Sequence, residues 1–177
     1  MLTAIATYLI RSSERRIGVS LDYVHQIAQT KFSLLMRYNR IFGFLDPNRN
    51  VPPDAYHTAR LCGALAADCG TCVEAEINLA VAADVPHSTI DAVLGSDEAA
   101  LSDNLCAVLR LATAITAERQ DDPDARAAVV RAYGEAGLIE LSFAMNGAAM
   151  LPGIKRAMGH ATQCDLSLMR KLARPKT

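Results

Sequence analysis

Residues 67–80 read ADCGTCVEAEINLA, and the fold turns on what Cys69 and Cys72 are doing at this point. A helical stretch ends just before them, at Asp68, and another runs on from Thr71 to Asp84. Gly70 supplies backbone freedom at the corner between the two. Upstream, Pro53 and Asp54 open a helix that carries His57, Leu61, Cys62, Leu65 and Ala66 on to Asp68. A C-G-x-C of the thioredoxin kind follows a β-strand, and no strand signal precedes Cys69. Sustained alternation of apolar and polar residues is missing, while helical spacing recurs along the whole chain. These patterns predict an all-α protein.

Working outward, Ser20 is expected to cap a helix that runs to about Arg40, with Leu21, Val24, Ile27 and Ala28 on one face. The run DPNRNVPPD, Asp46 to Asp54, is the clearest break. It divides the chain into an N-terminal helical extension, 1–50, and a helical domain, 51–177. Beyond the thiols, Pro86 and Ser88 start a short helix that stops at Gly95. A long amphipathic helix is expected from Asp97 to Glu118. Asp121 to Asp124 then end that helix and begin the next, which Gly134 and Gly137 interrupt. The tail from Lys155 is basic and partly helical.

Composition limits the function classes. The 177 residues are 51% hydrophobic but only 5% aromatic, with no Trp, which suits closely packed thin helices. A net charge of −1 provides no field for gathering nucleic acid or anionic lipid. The opening MLTAIATYLI is apolar but too short to span a bilayer and lacks a basic leader. Five scattered cysteines do not form an extracellular disulfide framework. The expected compartment is the cytoplasm, with thiols reduced at rest and no membrane or nucleic-acid partner.

A C-x-x-C at a helix start brings two sulfurs within bridging reach, where exposed N–H groups and the helix dipole favour thiolate. A sulfenic acid on one can then be resolved by the other. Two other readings stand beside this one. The pair can be small apolar filling of a core. Alternatively, Cys69, Cys72, His57 and Glu76 can be assembled on paper into a zinc site, although structural zinc usually joins two such knuckles. Cys62 and Cys106 read as core. His160 and Cys164, four residues apart, read as a terminal pair without a role.

Residues 55–93 resemble the carboxymuconolactone decarboxylase and alkylhydroperoxidase D superfamily, whose mark is C-x-x-C-x-x-x-H on a helix. Here that motif reads Cys69-GT-Cys72-VEA-Glu76, followed by INLAVAADVPHSTIDAVL. The block GLIELSFAMNGAAMLPGIKRAMG, Gly137 to Gly159, is similar to the family's closing helix, with Asn146 near its middle. The resemblance implies an all-helical bundle assembled as a trimer or hexamer. It also implies no cofactor or metal, and peroxide reduction through the cysteine pair.

The departure from the family lies in its proton relay. Its peroxidases carry His where this chain has Glu76, and Glu where this chain has His57. An exchanged acid–imidazole pair could still carry a proton. The expected catalytic set is therefore Cys72 as attacking thiol, Cys69 as resolving thiol, and Glu76 with His57 as relay. The substrate would be a small hydroperoxide and the reductant a lipoyl-bearing or thioredoxin-like dithiol protein. Two alternatives stay open: a decarboxylase-like or lactone-processing enzyme, and a non-catalytic oligomeric helical protein.

Overall fold

Pro53 opens the helix around which the other elements are arranged. The computed structural model describes residues 2–45 and 50–173, so part of the expected break at 46–54 lies outside the described residues. The α-helices are α1 Leu2–Ile17, α2 Asp22–Thr30, α3 Phe32–Asn39, α4 Pro53–Ala66, α5 Gly70–Ala82, α6 His87–Gly95, α7 Asp103–Thr113, α8 Pro123–Ala157 and α9 Leu166–Leu172. No strand occurs among the described residues, so the all-α expectation holds.

Helix α4 is buried continuously from Ala55 to Ala64. Its small residues let neighbouring backbones come close: a Cβ placed on Gly63 would lie 2.1 Å from the Met145 carbonyl oxygen of α8. Leu141, Ala144, Met145 and Ala148 of α8 are buried in turn, as are Val108 and Ala112 of α7. α5 and α6 close the remaining sides through Val73, Ile77, Ile90 and Val93. Helix α8 has the length and apolarity of a membrane span, yet 44% of that apolar window is buried inside the fold.

Local chemistry sets the helix ends. Asp122 caps α8 by accepting from the Ala125 N–H at 2.9 Å, and Asp165 caps α9. Gly134 breaks α8 with φ 71° and ψ 178°, a conformation open in practice only to glycine. Gly137, also expected to interrupt, stays helical and buried. Ser20 does not cap a helix, since its hydroxyl is turned to Asp22 Oδ1 at 2.7 Å. The helix expected to reach Arg40 is divided by extended Lys31, φ −163° and ψ 121°. The one expected over 97–118 begins only after Ser102 accepts from the Leu105 N–H, and it ends in a wider π turn over Ala114–Glu118.

Helices α1 to α3 form a smaller core from Ala6, Ile10, Tyr23, Val24, Ala28 and Tyr38. Leu151 and Met158 pack against it from the end of α8 and just beyond. Asn78 of α5 donates to the Ile17 carbonyl at 2.8 Å, beside Gly18, whose φ is 73°. This N-terminal unit therefore lies against both α5 and the end of α8.

Candidate active site

Cys69 is the N-terminal cap residue of α5, with φ −128° and ψ 102°, and Cys72 follows one turn later. The corner is held from outside by the segment joining α8 to α9. The Gly70 N–H donates to the Thr162 carbonyl at 3.1 Å, and the Thr71 N–H to Thr162 Oγ1 at 3.2 Å. The Cys164 N–H donates to Asp68 Oδ1 at 3.1 Å. Gly70 is required by this approach, because a Cβ there would lie 2.7 Å from the Gln163 carbonyl oxygen. Arg156 ties the preceding loop by donating to the Ala67 and Asp68 carbonyls at 2.8 and 2.7 Å.

The two sulfurs differ in environment. Cys69 has no exposed surface, whereas Cys72 is partly exposed. The Cys69 thiol is drawn down from its ordinary value near 9 to about 5. Its hydrogen bond with the Cys72 thiol is the main cause, helped by Thr71, the Cys72 backbone N–H and the charge of Lys155. Cys72 is pushed up by the same hydrogen bond, by burial and by the neighbouring Cys69 charge. The pair thus holds one negative charge and one proton, and it titrates as a unit.

Lys155 and Thr71 were not among the residues singled out from the sequence. Lys155 is buried on α8, and its Nζ donates to Thr71 Oγ1. Thr162 Oγ1 also donates to that hydroxyl, at 3.5 Å. With two donors directed at its oxygen, the Thr71 hydroxyl proton is free to point at Cys69 Sγ, 3.7 Å away. Lys155, Thr71 and Cys69 therefore form a chain. The Lys155 ammonium also lies 5.8 Å from the centre of the Tyr23 ring. Burial raises the Tyr23 hydroxyl to about 12 and raises Tyr38, its hydrogen-bonded partner, as well. Both phenols stay protonated beside the thiols.

Glu76 and His57 are not hydrogen-bonded to one another. Arg60 grips both Glu76 oxygens, Nε to Oε2 at 2.6 Å and Nη2 to Oε1 at 2.8 Å, with each side chain almost wholly buried. Arg60 Nη1 also donates to the Tyr56 hydroxyl at 3.2 Å and the Leu45 carbonyl at 3.3 Å. His57 Nδ1 is buried without a hydrogen-bond partner, and its ring meets Tyr56 edge to face at 5.3 Å. Burial, with the positive charge of Arg60, lowers His57 to about 4. The acid–imidazole relay drawn from the sequence is replaced here by an acid–guanidinium pair. The reason is electrostatic: a permanently charged Arg in a buried helix commands the nearest carboxylate. A signal for this was present in YHTARLCGALA, residues 56–66, where Arg60 is the only permanently charged side chain in an otherwise buried helix.

Among the described residues, no three His, Cys, Asp or Glu side chains converge in a way that could hold a metal ion. Both Glu76 oxygens already face Arg60. Cys62 is buried and its thiol is pushed up to about 12. The Cys106 Sγ donates to the Glu98 carbonyl at 3.1 Å, on α7. His160 does not turn to Cys164 but pairs with Gln26 Oε1 at 2.7 Å.

No family description, curated protein or solved structure matches the chain.

Proposed function

We propose that this protein is a thiol-dependent peroxidase, or a closely related disulfide oxidoreductase, working through Cys69 and Cys72. The observation that carries the reading is the asymmetry of the pair: an enclosed thiolate-favouring Cys69 hydrogen-bonded to a partly exposed Cys72. The superfamily resemblance of residues 55–159 supports it.

An oxidant can reach only the exposed sulfur, so Cys72 attacks. As it does so, its proton passes along the hydrogen bond to Cys69, placing the charge on the accessible atom. The Cys72 sulfur bonds to the outer peroxide oxygen, the O–O bond breaks, and the leaving alkoxide takes the proton held by Cys69. Cys72 is then a sulfenic acid, and Cys69 is again a thiolate beside it. Attack of Cys69 on the Cys72 sulfur breaks the S–O bond. The departing hydroxide takes a proton from solvent, leaving a disulfide, one alcohol and one water. A dithiol protein, lipoyl-bearing or thioredoxin-like, returns the two electrons.

In this scheme Lys155 and Thr71 hold the Cys69 charge, and Glu76 serves the fold through Arg60. The AhpD-type bundle, assembled as a trimer or hexamer in the cytoplasm, belongs to the same proposal. The exposed apolar side chains Ile139, Phe143 and Met150 on α8 give such an assembly a face. Titrating free thiols before and after hydrogen peroxide tests the chemistry. Two thiols per chain should be lost, and peptide mapping should place both in a Cys69–Cys72 bridge. An unchanged thiol count, or a bridge between two other cysteines, would overturn it.

A further inference from the structure

The connection between α8 and α9 lies directly against the thiol corner and carries a third sulfur. Four hydrogen bonds join residues 162–164 to residues 68–71. A Cβ built on Gly70, the residue after Cys69, would lie 3.5 Å from the Cys164 Cα. The Cys164 side chain is partly buried against the main core, and its thiol lies within electrostatic reach of Cys69 and Asp68. Beside this contact an open cleft of about 250 Å³ is lined by Asp68, Arg156, Gly159, Ala161, Thr162 and Gln163. The sequence places Cys164 in a terminal tail. The fold places its backbone against the thiol corner, next to the cleft-lining Gln163.

We propose that Cys164 is an exchange thiol, which takes Cys69 over from Cys72 and presents the resulting disulfide at the surface cleft. The proposal rests on the reading of Cys69 and Cys72 as a redox pair. Cys164 loses its proton and its sulfur attacks Cys69 Sγ. The Cys69–Cys72 bond breaks, a Cys69–Cys164 bond forms, and Cys72 leaves and takes up the proton. No net oxidation occurs. Cys72 is thereby freed for another oxidant while the oxidised pair waits for its reductant. An external dithiol then attacks Cys164 beside the cleft, so that oxidant and reductant meet different sulfurs of one site. Burial, joined by the negative charge of Asp68 and Cys69, disfavours the Cys164 thiolate while the pair is reduced. Forming the Cys69–Cys72 bond removes the Cys69 charge, so the exchange thiol is released at the stage that needs it.

The test is disulfide mapping of the full chain, oxidised with diamide and quenched in acid, for wild type, Cys72→Ser and Cys72→Ala. Circular dichroism confirms that the variants keep their helix. Both variants should lose two free thiols and yield a Cys69–Cys164 bridge. Wild type should yield Cys69–Cys72 first, with Cys69–Cys164 growing at its expense when held at about pH 8, where thiols exchange. If wild type forms Cys69–Cys72 but shows no exchange, and the variants leave Cys164 free, the exchange role is wrong and the redox pair stands. If wild type forms no Cys69–Cys72 bridge at all, both ideas fall together.

Discussion

Arg60 on α4 and Glu76 on α5 meet through two parallel hydrogen bonds of 2.6 and 2.8 Å, one turn of helix beyond Cys72. The pair ties α5 to α4 and offsets the Glu76 charge in a buried place. Removing one partner leaves the other charged and buried. Glu76→Gln or Arg60→Met should therefore each cost about 3–5 kcal/mol in urea unfolding. Replacing both with apolar residues of similar volume, Arg60→Met with Glu76→Leu, should recover most of that loss. A single variant as stable as wild type would show that the two charges are not coupled. By the same logic Glu76→His, which introduces the residue of the motif that the chain resembles, should destabilise the chain by leaving Arg60 without its acid.

His57 makes stability depend on pH with a definite sign. Its folded value of about 4 lies below the ordinary 6.5, so between those values the unfolded chain binds a proton that the folded chain refuses. The contribution is complete above pH 6.5 and is lost as pH falls through the window to 4. The loss amounts to at most about 3 kcal/mol. His57→Phe should flatten the profile between pH 6.5 and 4, measured by urea midpoints. An unchanged slope in the variant would place the titrating group elsewhere.

Lys155 should control the thiolate directly. Ultraviolet thiolate absorbance should reveal a group titrating near pH 5 in wild type. Lys155→Met should move that midpoint upward and lower the thiolate fraction at pH 5. Lys155→Arg, which keeps the charge, should recover part of the effect, and Thr71→Val, which removes a hydrogen bond to Cys69, should shift the midpoint in the same direction by more. A midpoint indifferent to Lys155→Met would leave the helix terminus and Cys72 as the sole source of the acidity.

The apolar face of α8 should govern assembly. Ile139, Phe143 and Met150 recur at helical spacing and are 52%, 43% and 41% exposed. A charge on this face, Ile139→Glu, should shift sedimentation from an oligomer to a smaller species while leaving helicity unchanged. A wild-type chain that sediments as a monomer at micromolar concentration would remove this part of the account.

The corner itself was legible in the sequence because it is local. Gly70 between two helices and the three-residue Cys spacing act within a few residues of one another, and Pro53 marks the start of the helix that leads into them. What could not be read was the set of groups brought to that corner from far along the chain. Lys155 reaches Thr71 across 84 residues, and Tyr23 arrives from an N-terminal unit that reads as a separate extension. Periodicity locates faces of helices but not which faces meet, so Lys155 reads as the start of a basic tail. His57 was paired with Glu76 on the strength of a family pattern. Packing instead turned Arg60, a residue one turn further along the same helix, toward the acid.

The division of labour between the two cysteines is tested most directly by single-turnover reaction with hydrogen peroxide, followed by dimedone trapping, in wild type, Cys69→Ser and Cys72→Ser. Wild type should end as the Cys69–Cys72 disulfide and trap little dimedone. Cys69→Ser should consume peroxide and stop at a sulfenic acid labelled on Cys72. Cys72→Ser, left with an enclosed sulfur, should react at least about tenfold more slowly. A Cys72→Ser chain that consumes peroxide as fast as wild type, with dimedone on Cys69, would contradict the account.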